Sequence, residues 1–320
     1  MKSKITMIYY RKNIHKQLPV LVMVFLFTIV TSCMSDNMDD CPDEFSLRFE
    51  YVLNDNYQDL FRDQVTHLDL LVYTEQGDYL KTYSILQNEL KDGNTFLLDL
   101  QQPEKYTLIA WGNTITNLYA KHYPARIEDL YVKLNSTPSG EADPLHGSLF
   151  HGITNITHDA TVSQSHTMSL TKDTHLLQIT LEEIGGNQPL TLGAYTLEIT
   201  GSNGTYDYQN HTTGNDLLQY IPRYSLTGEH TMQTEYTLLR LMPGDDLHLK
   251  IKAADGSLLY SEPLTTKIMQ NPAFVTQEDL DRCDTFKLRY EISKTAGGGW
   301  LVSLVEINDW DVTGQGGGIG

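Results

Sequence analysis

The chain has 320 residues, with 23 basic and 41 acidic side chains and a formal net charge of −18. Phosphate recognition needs clustered Lys and Arg, so this balance excludes nucleic acid and anionic lipid surfaces as charge-driven partners. Hydrophobic residues at 40% suffice for packed cores, and 19 Tyr with frequent Thr lean the composition toward strands.

Five basic residues (Lys2, Lys4, Arg11, Lys12, Lys16) precede an apolar run, Leu18–Val30, interrupted only by Thr28 and Pro19. A bilayer span needs about 20 apolar residues, so the run is short for one. A basic start, a short apolar middle and small residues describe a secretory signal over residues 1–32. The run closes on Thr31, Ser32 and Cys33, which resembles the lipobox of bacterial lipoproteins. In that class the Cys becomes the first mature residue and carries lipid; here Val30 stands where Leu is usual. An ordinary signal cut nearby, or an N-terminal anchor helix, also fits the residues. Acyl chains on Cys33 would hold the chain outside the cytoplasm, since each buried methylene contributes about 0.8 kcal/mol. Residues 33–44 then read as an acidic linker, MSDNMDD following the Cys. Acidic residues there resemble a surface-export signal of Bacteroidetes lipoproteins; a solvated linker fits equally. Without the leader, 18 basic residues face 41 acidic ones, a mature charge of −23.

The mature chain is long for one domain, so two are expected. Phe45–Leu53 alternates apolar and polar residues, the signature of a strand with one buried face. Asn54–Gln64 suggests a short helix or turn, and Val65–Thr74 a second strand, turned by Glu75–Asp78 into Tyr79–Leu86. Thr95–Leu100 and Tyr106–Trp111 continue the series, which is typical of a sandwich. Gly112–Asp143 carries no clean period and reads as an excursion, with a short helix near Ile127–Val132. Strands resume at Leu145–Ile153 and Val162–Leu170, and a boundary falls near Thr171–Asp173. The second half shows the same alternation in His175–Ile184, Tyr195–Thr200, Thr234–Leu241 and Leu247–Ala253. Asn203–Gly204 and Asp255–Gly256 read as hairpin turns, because these residue types tolerate positive φ. Phe274–Cys283 reads as a helical turn capped by Thr276, and Thr285–Ser293 with Trp300–Trp310 as a closing hairpin. The sandwiches are thus expected over residues 45–171 and 172–312, with a disordered glycine-rich tail over 313–320.

No H-E-x-x-H, G-x-S-x-G, Walker loop or C-x-x-C occurs, so neither a catalytic site nor a cofactor is expected. His146 and His151 would lie on opposite strand faces, against a shared metal. Asp245–Asp246 and Asp39–Asp40 suit solvated turns better than calcium, and no metal site is expected. Trp111, Trp300 and Trp310 adjoin strands; core packing is the default and sugar stacking the alternative. Asn135, Asn155, Asn203 and Asn210 fit N-x-Ser/Thr, which matters only where a secretory system glycosylates them. With Cys33 acylated, Cys41 and Cys283 remain, and an oxidising compartment permits their pairing; two free buried thiols are the alternative.

Several segments together resemble the FimB/Mfa2 family of fimbrial anchor lipoproteins of Bacteroidales. They are Cys33, Cys41–Pro42 leading into FSLRFEY, VTHLDLLVYTEQGDYL, YTLIAWGN, SLFHG, QEDLDRCDTFKLRY and VEINDW. The resemblance implies an all-β fold of two tandem transthyretin-like β-sandwiches with short helices in the connections. It implies lipid attachment to the outer membrane, exposure at the cell surface, and fimbrial pilin subunits as partners, one donating a strand. A surface glycan-binding lipoprotein is the competing reading.

Overall fold

Hydrophobic alternation along short strands builds this chain into stacked sheets. The structure, a computed structural model, describes residues 44–100, 104–114, 117–142, 147–159 and 161–312. Cys33, Cys41, the leader, most of the acidic linker, His146 and the tail from residue 313 lie outside the described residues. The first strands in chain order are β1 (Phe45–Glu50), β2 (His67–Thr74), β3 (Tyr79–Leu86), β4 (Thr95–Leu98), β5 (Lys105–Gly112) and β6 (Tyr119–His122). Then come β7 (Tyr131–Leu134), β8 (Glu141–Ala142), β9 (Phe150–Thr157), β10 (Gln164–Ser169) and β11 (Thr171–Lys172). They are followed by β12 (Thr174–Ile184), β13 (Tyr195–Gly201), β14 (Thr205–Asp207), β15 (Leu218–Tyr220), β16 (Arg223–Gly228) and β17 (Thr231–Leu239). The last are β18 (His248–Ala253), β19 (Leu258–Pro263), β20 (Thr285–Lys294), β21 (Trp300–Ile307) and β22 (Trp310–Asp311). Among the described residues, three short α-helices interrupt them: α1 (Phe61–Gln64), α2 (Leu264–Ile268) and α3 (Gln277–Arg282).

The fold is all-β, two β-sandwiches in tandem. In the first, the sheet β10-β1-β4 covers one face of the sheet β11-β9-β5-β2-β3. Leu47 and Phe49 of β1 meet Leu68, Leu70, Leu108, Phe150 and Met168 in a continuous core. Gly152 lets the two sheets approach, since a Cβ there would come within 2.6 Å of Leu170. In the second, β16-β17-β12-β20-β21-β22 packs on β19-β18-β13-β15-β8. Leu177, Ile179, Leu197, Tyr236, Ile251, Phe286 and Leu288 lie in its core. The core changes from the first to the second between Leu170 and Leu177. One covalent run, Gln164–Ile184, supplies strands to both sandwiches.

The excursion after Gly112 is not a loop. β6 and β7 form a sheet with β14, and β8 pairs in parallel with β15. Val132 and Leu134 belong to the second core, as do Leu71, Tyr73, Ile109 and Trp111 from the outer face of the first sandwich. β2 is therefore buried along nearly its whole length on both faces. The expected helix near Ile127 is a single 3₁₀ turn, Ile127–Asp129, leading into β7. The strand expected from Leu145 runs instead over β9, Phe150–Thr157.

The Asn203–Gly204 hairpin is overturned. Neither residue has positive φ, and β14 pairs with β7, not with β13. Asn203 is buried: its amide donates to Arg240 O at 3.3 Å and its oxygen accepts from Tyr220 Oη at 2.7 Å. Asp255–Gly256 does turn β18 into β19, with Gly256 at φ +83°. Thr276 caps α3 as the sequence predicts: its hydroxyl accepts from Asp279 N at 3.2 Å, and Asp279 accepts from Thr276 N at 2.8 Å.

Candidate functional site

The first strand sits inside its own sheet. β1 is the middle strand of its sheet, parallel to β10 over six residue pairs and antiparallel to β4 over four. Phe45, Leu47 and Phe49 are buried, and Tyr51 continues inward beside Phe150. The ladder extends at both ends, where Gln164 N donates to Glu44 O at 3.0 Å and Leu170 N to Glu50 O at 2.8 Å. The chain thus fills the central position of its own three-stranded sheet with its N-terminal segment.

Because that slot is occupied, an added strand must meet an outer edge. The three-stranded sheet is narrower than the five-stranded one, and the first sandwich is open between β3 and β4. A cavity of about 290 Å³ lies there, lined by Val72, Leu80, Tyr83, Leu100 and Tyr106. Tyr83 packs edge-on against Phe96 at 5.3 Å and donates to Asp99 O at 3.2 Å. Lys81 Nζ lies 4.3 Å from the Tyr83 ring centroid. β3 pairs with β2 on one side; among the described residues, Lys81–Leu86 have no backbone partner on the other. Leu80 is 48% exposed, leaving an apolar contact beside that free edge.

Two buried polar clusters brace the body. Asp69 on β2 accepts from Lys121 Nζ at 2.6 Å, Tyr123 Oη at 3.0 Å and Thr114 Oγ1 at 3.1 Å, tying the excursion to the first sandwich. Burial pushes this carboxyl up, but Lys121, Tyr123 and His67 outweigh it and hold it below the usual range. Ser84 Oγ lies 2.8 Å from His67 Nε2 and donates to Asp69 at 3.0 Å. Asp69 Oδ1 lies 3.3 Å from the same His67 Nε2, while Nδ1 is buried without a partner. In the second sandwich, Arg240 donates to Asp281 through Nε at 2.7 Å and Nη2 at 2.6 Å, with Asp173 3.9 Å away. Burial, only partly offset by Arg240 and Asn210, pushes Asp173 up to about 7.

The residues singled out by sequence scatter through the body and form no common site. Cys283 is a free thiol, buried, donating to Thr285 O at 3.2 Å. Burial and Asp55 push it up to about 12, which keeps it protonated and unreactive. Its expected partner Cys41 lies outside the described residues. Asp284, next to Cys283, accepts a hydrogen bond from Tyr51 Oη at 3.3 Å. Trp111 is fully buried against His151, and Trp300 packs on Tyr195. His151 Nε2 donates to Tyr208 O at 3.0 Å, and burial pushes its pKa down to about 3. Asp245 and Asp246 bond the main chain of Met242 and Ser202. Among the described residues no group of three His, Cys, Asp or Glu could hold a metal. Nor is any described helix long and apolar enough to cross a membrane. The open β3 edge was not singled out from sequence. Its signal is slight: Leu80 and Leu86 break the strict alternation of that strand.

Residues 38–316 match the family described as "Fimbrillin-A associated anchor proteins Mfa1 and Mfa2". The chain belongs to this family. A search of curated proteins finds no match. Among solved structures, a candidate polysaccharide-binding protein from Bacteroides thetaiotaomicron is 24% identical, covering 83% of this chain and 96% of its own, with a TM-score of 0.75. A candidate adhesin from Bacteroides ovatus is 24% identical over 88% and 97%, with a TM-score of 0.74. The fimbrial anchor protein Mfa2 from Porphyromonas gingivalis is 16% identical over 85% and 99%, with a TM-score of 0.72. At these identities the likeness shows a shared fold. Membership in the Mfa family makes this a fimbria-associated protein of the cell surface.

Proposed function

We propose that this protein is a lipoprotein of the outer membrane that anchors or caps a fimbria, held by lipid on Cys33 and accepting a strand from a pilin subunit. The observation that carries the reading is the seated first strand. With β1 retained in the sheet, the segment leading back to Cys33 stays attached to the folded body. The docking edge we favour is β3. A strand added there gains main-chain hydrogen bonds, and its alternate side chains meet the apolar cavity at Leu80 and Tyr83. The role is mechanical and non-catalytic. The fully buried Trp111 removes one of three candidate sugar platforms, so the glycan-binding reading loses support.

Two experiments test this. Cys33→Ala should release the protein from the membrane fraction and abolish incorporation of labelled fatty acid; unchanged retention would refute the anchor. Leu80→Lys should weaken pilin capture in a pull-down while leaving the thermal transition intact, because Leu80 is half exposed. Binding on a glycan array without pilin capture would overturn the fimbrial assignment.

A further inference from the structure

The strand topology is suited to bearing load, and this inference rests on the anchoring role proposed above. β1 and β10 run parallel, in register from Phe45↔Gln164 to Glu50↔Ser169. β10 continues without a chain break through β11 into β12, which ends at Ile184 at the other end of the second sandwich. β12 is itself central, parallel to β20 over nine pairs and antiparallel to β17 over nine. A pull on the N-terminus is applied to the start of β1. A pull on the far end of the second sandwich is applied to the end of β12, and so to β10. Parallel neighbours pulled from opposite ends slide past each other. All their cross-strand bonds are then strained together, instead of opening one by one.

We propose that the pairing of β1 with β10 and β4 is a shear clamp that carries tension between the N-terminal tether and the second sandwich. Six pairs on one side and four on the other share the force. Phe45, Leu47 and Phe49 add resistance, because sliding by one residue would turn these buried side chains to the wrong face. Had β10 run antiparallel to β1, the same pull would unzip the ladder from one end.

Single-molecule pulling in two directions tests this on residues 34–320 carrying Cys41→Ser. Both measurements use one N-terminal handle. The second handle is placed at Asn187→Cys, past the end of β12, or at Val162→Cys, just before β10. Both are exposed turn residues, so each substitution should leave the thermal transition unchanged. Pulling against residue 187 shears the ladder; pulling against residue 162 peels it from Phe45↔Gln164 onward. Forced unfolding follows the unfolding barrier along the pulling direction. We expect the shear direction to break at severalfold higher force. Equal forces, or a weaker shear direction, would overturn the clamp. Membrane release of Cys33→Ala is read separately, so failure of the clamp and failure of the anchor are distinguishable.

Discussion

The two sandwiches are stabilised differently. The first is filled by aliphatic and aromatic side chains, with β1 contributing Phe45, Leu47 and Phe49, and its polar cluster at Asp69 lies on the other face of its sheet. The second buries charge: Arg240 with Asp281 and Asp173, and Glu262 accepting hydrogen bonds from Tyr260 at 2.5 Å and from Tyr290. The first should therefore answer chiefly to lost volume, the second to lost partners and to pH. The difference suits their places in the chain. The first sandwich must keep its central strand in register, which side-chain shape enforces. The other half joins strands from distant segments, and directed charge pairs fix which segments meet.

Removing Arg240 should have the largest effect. Arg240→Met leaves Asp281 and Asp173 buried without their cation, and should cost about 3–5 kcal/mol in urea unfolding. A loss confined to the rim, below about 1 kcal/mol, would show the charges to be solvated in the native protein. Phe49→Ala is the matching test in the first sandwich, with an expected loss of about 3–5 kcal/mol from the cavity it opens. It should also lower the shear force, whereas Arg240→Met should not.

The pH response sharpens the contrast. An unfolded Asp releases its proton near 4, but buried Asp173 holds its proton to about 7. Between those values unfolding releases a proton, so this group lowers stability as pH rises. His151 and His175 oppose it: burial pushes them to about 3 and about 4, while unfolded His binds a proton near 6.5. They lower stability as pH falls from about 6.5. Asp173→Asn should thus match the parent near pH 4 and exceed it increasingly up to pH 7 in melting temperature. A constant offset across that range would refute the buried-acid account. Asp69→Asn should cost less, about 1–3 kcal/mol, because Lys121 is partly exposed and regains water. The smallest expected effect concerns Cys283. Its thiol, held protonated by burial, should resist alkylation in the native protein and react only after unfolding and reduction; rapid native alkylation would refute the burial.

Regular strands were legible where one face is buried: β1, β12, β18 and β20 follow the alternation of their residues. The capped turn at Thr276 was legible because its bonds close within four residues. The segment after Gly112 was not, because β6, β7 and β8 have four, four and two residues, too few to show a period. Asn203 misled for a related reason: its local turn preference yields to partners at Arg240 and Tyr220. The pairing of Asp69 with Lys121 joins β2 to the segment after Gly112 and leaves no mark on local sequence.

The sequence by itself determined the strand-rich class, the acidic charge and the leader-like run ending at Cys33, since each depends on composition or near neighbours. Only the tertiary structure decided that β1 fills the middle of its own sheet, that β3 has a free edge among the described residues, and that Cys283 is buried. Those are consequences of which distant segments pair, and strand pairing is settled by burial on both sides of a sheet at once.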